Sequence, residues 1–573
     1  MERRDFMRYG FAGGMLASTS VFAIQSGMSQ VTTVRESRRV GEGRSELAAD
    51  VVIIGGGLGG CAATLAALRN GLSVVLTEET DWVGGQLTSQ LVPPDENPWI
   101  ETHGSTQLYR DLRTGIRNYY VRNYPLTDEA KKRPNLNPGD GAVSRLCHEP
   151  RVALAVLGEM MMPFISSGRL TLLVETRAVH AEVTGDRVTA VHVVNERTGR
   201  QYVLTAPYFV DATELGDLLP LTGTEFRTGA ESQDETGELH AAKIANPKNQ
   251  QPFTVVFAAG YEPGVDNTID KPDEYDFWRD FVPEMTPPWS GKLLDLAYCT
   301  PSTLVPLTLG FHPEGVPTGS VLNLWNYRRI VNRNNFLPGT YPGDVSIINW
   351  PQNDYLLGNL DESREAFLKH VARAKQLSLS LMYWLQTEVP RPDGGQGWPG
   401  LKLRGDLTGT DDGMAKYPYV RECRRIEALF TVLEQHVGKA NREMIAGQTE
   451  TRAAEFSDSV GIGYYHIDLH PSTAGDNYID FPSLPFQIPL GALIPKRMVN
   501  LLPANKNIGT THITNGCYRL HPVEWGIGEA VGALVFYALA KKASPRAIRE
   551  NTTLLADYQS LLESQGMPIR WLS

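Results

Sequence analysis

Apolar and polar positions in this chain fall into short runs whose period changes from place to place. Asp50-Val-Val-Ile-Ile54 is an uninterrupted, mostly β-branched run, the pattern of a parallel strand buried on both faces. Gly55-Gly-Gly57-Leu58-Gly59-Gly60 follows at once, and Cys61-Ala-Ala-Thr-Leu-Ala-Ala-Leu68 predicts a helix with small residues on its early turns. Gly71-Leu-Ser73 turns the chain into a second predicted strand, Val74-Val-Leu-Thr77, which ends at Glu78-Glu79. Residues 362–387 and 421–438 repeat apolar positions at helical spacing and predict two amphipathic helices. His466-Ile-Asp468-Leu-His470 alternates instead, so a strand there carries its three polar side chains on one face. Residues 9–24 are weakly apolar and rich in Gly and Ala. They are too short for a membrane span, which needs about 20 apolar residues, and no later window reaches that length.

The unit from residue 50 to residue 79 has a physical reading. Gly55 permits a tight turn, Gly57 lets the backbone approach a pyrophosphate, and Gly60 lets helix and strand pack closely. Leu58 and Gly59 open the helix, whose N-terminus offers free N–H groups and the positive end of its dipole to phosphates. Glu78 stands 18 residues past Gly60, at a strand end where an acid accepts hydrogen bonds from a ribose. Strand, glycines, helix, second strand and terminal acid all occur in order. A second literal match, Gly395-Gln-Gly397-Trp-Pro-Gly400, has no strand before it and a proline within it, and reads as a loop. No separate domain for NAD(P)H follows from it.

Beyond Glu78 and Glu79 comes Thr80-Asp-Trp-Val-Gly84-Gly85-Gln86-Leu-Thr88. Here the chain resembles the large group of FAD-dependent oxidoreductases, in which the ribose-binding acid is followed by a Gly-Gly pair that wraps the cofactor. Leu172-Leu-Val174-Glu-Thr176 with Val179 resembles the later strand whose backbone clasps the adenine. Tyr208-Phe-Val210-Asp211-Ala212-Thr213-Glu-Leu-Gly216-Asp217 resembles the apolar strand that runs into Ala-Thr-Gly, with Glu214 in place of the glycine. The C-terminal stretch runs from Asn500-Leu-Leu-Pro-Ala504-Asn505 through Thr511-His512-Ile-Thr-Asn515-Gly516-Cys-Tyr-Arg519-Leu-His521-Pro522 to Trp525-Gly526-Ile-Gly528. It is similar to the closing segment of such flavoproteins, where a helix N-terminus points at the flavin pyrimidine. The resemblance runs from about residue 49 to the end. It implies FAD as cofactor and names no substrate. The fold it implies is α/β, a Rossmann-type FAD-binding domain with an inserted mixed α+β substrate lobe. Its nucleotide-binding pieces lie at both ends, so residues 49–230 and 485–573 are expected to form the FAD domain and 231–484 the substrate lobe. Arg3-Arg4-Asp5-Phe6-Met7-Arg8 resembles the twin-arginine signal. It marks residues 1–30 as an address for the twin-arginine machinery, which exports folded proteins to a periplasmic or secreted location; residues 31–48 read as a polar linker.

Composition narrows the chemistry. The chain has 573 residues, 42% apolar and 21% charged, ordinary globular usage and long enough for more than one lobe. Lys+Arg number 54 against Asp+Glu 65, a net charge of −11; an acidic chain without a basic stripe is a poor match for nucleic acid. Five scattered cysteines with no CxxC pair argue against a zinc site or a disulfide framework. A flavin that takes hydride from an alcohol or amine needs a base for the remaining proton. His512 and His521, nine residues apart upstream of the flavin-facing helix, are the first candidates. His466, Asp468 and His470 suit the polar wall of a cavity better than a metal, and no metal is expected. His103 is a loop histidine with the alternative of a covalent flavin link. Arg421, Arg424 and Arg425 read as ion-pair partners, with a carboxylate substrate as the alternative. Trp278, Trp289, Trp325, Trp350, Trp384 and Trp398 fit either the middle lobe's core or a pocket. The expected activity is oxidation of a small organic molecule at a CH–OH or CH–NH bond, with electrons passed on to oxygen or a periplasmic carrier. The alternatives are reduction of a C=C bond in a carboxylate, and an exported flavin-binding protein without turnover.

Overall fold

Four-residue runs at Val51–Ile54, Val74–Thr77, Leu170–Leu173 and Tyr208–Asp211 become neighbouring parallel strands. The fifth strand, Leu501–Pro503, pairs with Tyr208–Asp211 in the register Leu501 to Phe209. The computed structural model describes residues 35–39, 44–447 and 452–572; the export signal expected in residues 1–30 lies outside them. Alternation along the strands serves two cores. Val51, Ile53, Val74, Leu76 and Val210 face one, while Val52, Ile54, Val75 and Phe209 face the other. Helix Leu58–Arg69 and the closing helix His521–Lys541 cover the first face. A mixed sheet in which Thr176–Thr184, Arg187–Asn195 and Gln201–Thr205 run antiparallel covers the second. This is the Rossmann-type α/β arrangement that the sequence predicts. Within the stretch read as a polar linker, Arg44–Ala48 is a strand that pairs in parallel with Gln201–Thr205 and buries Leu47 in the second core.

The middle of the chain builds a further core. A four-stranded sheet carries Phe257–Tyr261 between Val345–Ile348 and Leu401–Leu403. Val255, Phe257 and Ala259 point into this core, whereas Val256 and Ala258 point into the nucleotide-side core, so one strand walls off both. The helix expected at 362–387 forms over Arg364–Thr387 and lays Leu377, Leu381 and Leu385 against the sheet core. All six tryptophans of this region are buried. Five pack in its core, and Trp289 pairs with Tyr478 and Cys299 in a small cluster.

The helix expected at 421–438 does not form. Its place is taken by extended chain, a two-residue strand Arg425–Ile426 against Phe226–Arg227, and one turn of helix at Glu434–Val437. The cause is tertiary. Arg421 donates to Pro252 O, Arg424 to Leu215 O, and Arg425 to Thr510 O and Gly229 O, carbonyls of separate segments that one helical face cannot reach together. One helix, His521–Lys541, does meet the length and apolarity of a membrane span, contrary to the sequence reading; 83% of its apolar window is buried inside the protein.

Candidate functional site

The glycine loop lies where the sequence places it, and backbone contacts exclude a side chain at Gly55, Gly59 and Gly60. Gly55 sits at φ +100°, and a Cβ there would meet Ala212 O at 2.2 Å. At Gly60 a Cβ would lie 2.0 Å from Gly55 O. Around this loop runs a cleft lined by Gly57, Glu78, Glu79, Gly85, Ala212 and Thr213, with Thr176, Arg177 and Ala178 along one wall. Glu78 is buried at the strand end. Its Oε2 accepts the Gly56 N–H at 2.9 Å, and its Oε1 accepts the Thr80 N–H and hydroxyl; burial still pushes its pKa up to about 7. Glu79 pairs with Arg364 at 2.7 Å. Gly84 and Gly85 both have positive φ, and Gln86 reaches across to Arg519 O and to Glu524.

Whether these residues suit a dinucleotide is answered by what is left unpaired. Gln90 lines the cleft, fully buried, with neither its carboxamide N–H nor its oxygen paired. Glu214 Oε1 is buried and unpaired at the same wall. A polar guest is what satisfies the Gln90 carboxamide, which offers both a donor and an acceptor, and the cradle fits one. Sequence reading missed Gln90, although it stands four residues after the Gly84-Gly85-Gln86 stretch that could have drawn attention to it.

Several expected contacts fall elsewhere. On the wall strand Ala178 lines the cleft and Val179 turns outward. The closing helix begins at His521, so Gly526 and Gly528 lie beyond its first turn. A Cβ on Gly528 would lie 2.0 Å from Gly59 O, and one on Gly532 2.2 Å from Ala63 O. These two glycines let the closing helix cross the nucleotide helix at backbone contact. Trp525 points into the core, its ring against Tyr109 and its N–H on Glu529. His103 lies tilted against Trp99 and edge-on to Trp571 and does not line the cleft.

The two C-terminal histidines are not alike. His512 starts the short helix His512–Tyr518, and its Nδ1 meets Glu422 Oε2 at 2.8 Å. Burial alone would push this imidazole down, but Glu422 outweighs it and raises the pKa above its usual value. Burial likewise works on Glu422, yet His512 and Arg425 hold that acid at about 2. His512 lines a cavity of about 180 Å³ with Glu231, Glu238, His240 and Tyr478. His521 is fully enclosed; its Nδ1 accepts the Asp95 N–H at 3.1 Å and its Nε2 has no partner.

Burial depresses both His521 and His148 from 6.5 to about 4. Rings kept neutral in this way favour folding above pH 6.5. As the pH falls from there to about 4, the unfolded chain binds protons that the folded one refuses, and stability drops. The expected slope is about 1.4 kcal/mol per pH unit for each ring. Buried acids such as Glu78 titrate in the opposite sense over this window, so the measurement is a difference: the urea stability of the parent relative to His148→Gln or His521→Gln should fall as the pH drops from 6.5 to about 4, and a difference that does not change with pH counts against that assignment.

The third histidine cluster has a different order. Strand Ile467–Leu469 leads to His470, whose Nδ1 lies 2.6 Å from Asp354 Oδ2. Asp354 Oδ1 meets Arg421 at 3.0 Å and takes the Thr254 hydroxyl. Burial would raise this acid, but Arg421 and His470 outweigh that and hold its pKa below the usual value. Arg519 donates to Asp468 Oδ2 at 3.1 Å and to the Tyr419 hydroxyl at 2.7 Å. The His470 side chain keeps 18% of its surface exposed and touches Tyr478, which lines the His512 cavity. Asp354 was not visible as a partner in the sequence, since 116 residues separate it from His470. Among the described residues no group of three or more His, Cys, Asp or Glu is placed to hold a metal.

Comparison with known proteins bears on the cleft. No curated protein matches the chain. Among solved structures, OxyS anhydrotetracycline hydroxylase from Streptomyces rimosus is 11% identical, covering 90% of this chain and 66% of its own with a TM-score of 0.31. A geranylgeranyl bacteriochlorophyll reductase-like protein from Thermoplasma acidophilum is 10% identical over 91% of this chain and 84% of its own, with a TM-score of 0.27. The chain spans only 41% of Mycobacterium smegmatis Sdh1 (14% identity, 38% of this chain, TM-score 0.22). It spans 27% of L-proline dehydrogenase from P.horikoshii (18% identity, 34% of this chain, TM-score 0.17). Likeness at this level bears on neither substrate nor mechanism. The family described as FAD dependent oxidoreductase, however, matches residues 50–562, which takes in the glycine loop, the cleft and the closing helix alike: the chain belongs to the FAD-dependent oxidoreductase family, and FAD is its cofactor.

Proposed function

We propose that this flavoenzyme oxidises a small, neutral, polar molecule at a CH–OH or CH–NH bond, with His470 taking the O–H or N–H proton. The residues that would hold FAD are those of the cleft: the Gly55–Gly60 loop at the diphosphate, Glu78 at the ribose, Ala178 beside the adenine, and Gly84, Gly85 and Gln86 around the ribityl chain. When bound, FAD supplies the hydride acceptor. The observation that carries the reading is the His470–Asp354 pair. An ionised carboxylate only accepts hydrogen bonds, so the Asp354 contact places a proton on Nδ1 and makes Nε2, 4.0 Å from Asp468 Oδ2, the ring nitrogen that exchanges a proton with a substrate. Asp354 is in turn fixed by Arg421 and Thr254, so the ring is held in one tautomer and one orientation. Neither His512 nor His521 combines these properties. Glu422 favours the protonated form of His512, and His521 is sealed in the core.

Electrostatics favour a neutral substrate over a carboxylate. Arg421 and Arg519 are the guanidiniums beside His470, and each already has an internal aspartate. A carboxylate ligand would have to displace Asp354 or Asp468. The Nε donors of both arginines and the Asn349 amide remain unpaired, and these are donors for hydroxyl oxygens. The test is anaerobic: the oxidised holoenzyme is mixed with polyols, sugars, amines and carboxylates, and the visible flavin band is followed. Bleaching by a hydroxylated or amine donor is expected. If none bleaches it and the chemically reduced enzyme is reoxidised by an α,β-unsaturated acid, the C=C reductase reading replaces this one.

A further inference from the structure

The nucleotide helix ends, at its N-terminus, against a carboxylate. Glu214 leaves strand Tyr208–Asp211 beside the glycine loop. A Cβ added to Gly57 would lie 2.8 Å from Glu214 Oε1, and one added to Gly85 would lie 3.0 Å from it. That oxygen therefore occupies the hollow that two residues without side chains leave open. It is buried and hydrogen-bonds to nothing. The other oxygen is ion-paired with Lys506 Nζ, an ammonium with 1% of its side chain exposed. Lys506 also donates to Asn505 Oδ1 at 3.2 Å and stands 3.9 Å from Glu524 Oε2. Glu524 Oε1 closes the circle by accepting the Gly59 N–H at 3.3 Å.

A helix N-terminus of this kind favours an anion, and the helix here is 12 residues long. A buried carboxylate oxygen without a donor is costly, so Glu214 Oε1 gains little where it stands. A diphosphate entering the same hollow brings two negative charges toward Glu214 and Glu524, and Lys506 is the cation that faces both acids. Mutual repulsion then expels the side chain free to move. Glu524 is tied to Gly59 and Gln86, whereas Glu214 lines the open cleft and is tied to Lys506.

We propose that Glu214 holds the place of the cofactor's diphosphate and that Lys506 exchanges partners, pairing with Glu214 before FAD arrives and with the diphosphate afterwards. The proposal rests on the assignment of FAD to this cleft. No covalent bond changes; the Glu214 carboxylate leaves the hollow between Gly57 and Gly85, and Lys506 stays. Glu214 is thus a competitor of the cofactor, and Lys506 a binding residue for it.

Deflavinated protein titrated with FAD, followed by the change in flavin fluorescence at low and high salt, tests this. Removing the competing charge in Glu214→Gln should tighten FAD binding about tenfold, equivalent to about 1.4 kcal/mol. Lys506→Met should weaken it about a hundredfold and reduce the salt dependence, while Lys506→Arg, which keeps the charge, should restore most of the affinity. Riboflavin has no phosphate and should bind the folded variants alike. Circular dichroism reports whether Lys506→Met folds; if it does not, Glu214→Gln and Lys506→Arg carry the decision. The proposal is overturned if Glu214→Gln weakens FAD or leaves it unchanged, or if riboflavin affinity falls in parallel with FAD affinity. If the parent protein takes up no FAD at all, the cofactor assignment falls first and the exchange with it.

Discussion

His470→Ala should lower the rate at which a donor substrate bleaches the flavin by about 10²–10⁴-fold, the range for losing a positioned general base. The flavin's own spectrum should not change. Asp354→Asn should cost a comparable factor by a different route. An asparagine can present its N–H to Nδ1, which selects the tautomer whose Nε2 carries the proton and cannot take another. The two variants should therefore be non-additive, since each disables the same base. The pH profile separates this role from a structural one. An imidazole base gives the rate an acid limb, and His470→Ala should remove that limb as well as lowering the plateau. Stopped-flow reduction across the pH range decides the matter; full rates in both variants would move the proton acceptor elsewhere.

Gly59→Ala should be severely destabilising. Its Cβ would stand 1.7 Å from Ala504 O, backbone against backbone, with no flexible side chain to give way. The nucleotide helix would have to lift off strand Leu501–Pro503 and the closing helix together. A loss of about 4 kcal/mol or more is expected, at the upper end for single substitutions, read as a collapse of soluble yield or of the urea midpoint. Gly526→Ala is the matched control. It lies in the neighbouring helix, and its Cβ would find its nearest atom 3.9 Å away. Alanine is a better helix former than glycine by about 1 kcal/mol, so this variant should be neutral or slightly more stable. Equal losses in the two would show that the helix crossing tolerates more separation than the backbone contacts imply.

The parts of this fold that could be read from the sequence are those whose signals are local. The run from Asp50 to Glu79 contains its own strand, turn, helix and second strand, and nothing distant is needed to interpret it. The alternation in His466–His470 was equally plain, and it put His470 on a polar face. What it could not supply was Asp354, because an ion pair across 116 positions leaves no periodicity. The failure at 421–438 has the same origin. Its apolar spacing is helical, but buried guanidiniums reaching for carbonyls on separate segments override a weak local preference. The glycines at 526 and 528 show a third limit. Both lie beyond the first turn of one helix, yet a Cβ on Gly528 would collide with the backbone of the nucleotide helix while one on Gly526 would only touch Ile488 at 3.9 Å, and only the neighbour distinguishes them.

The strand Leu501–Pro503 is the last piece added to the parallel sheet, and the closing helix comes after it. While the ribosome is still making the middle of the protein, the strand Tyr208–Asp211 has a bare edge and the nucleotide helix lacks the partner that packs on its glycines. Folding of this region therefore waits until residues 501–541 have been made, and a product truncated before residue 500 exposes both surfaces to whatever else in the cell can add a strand.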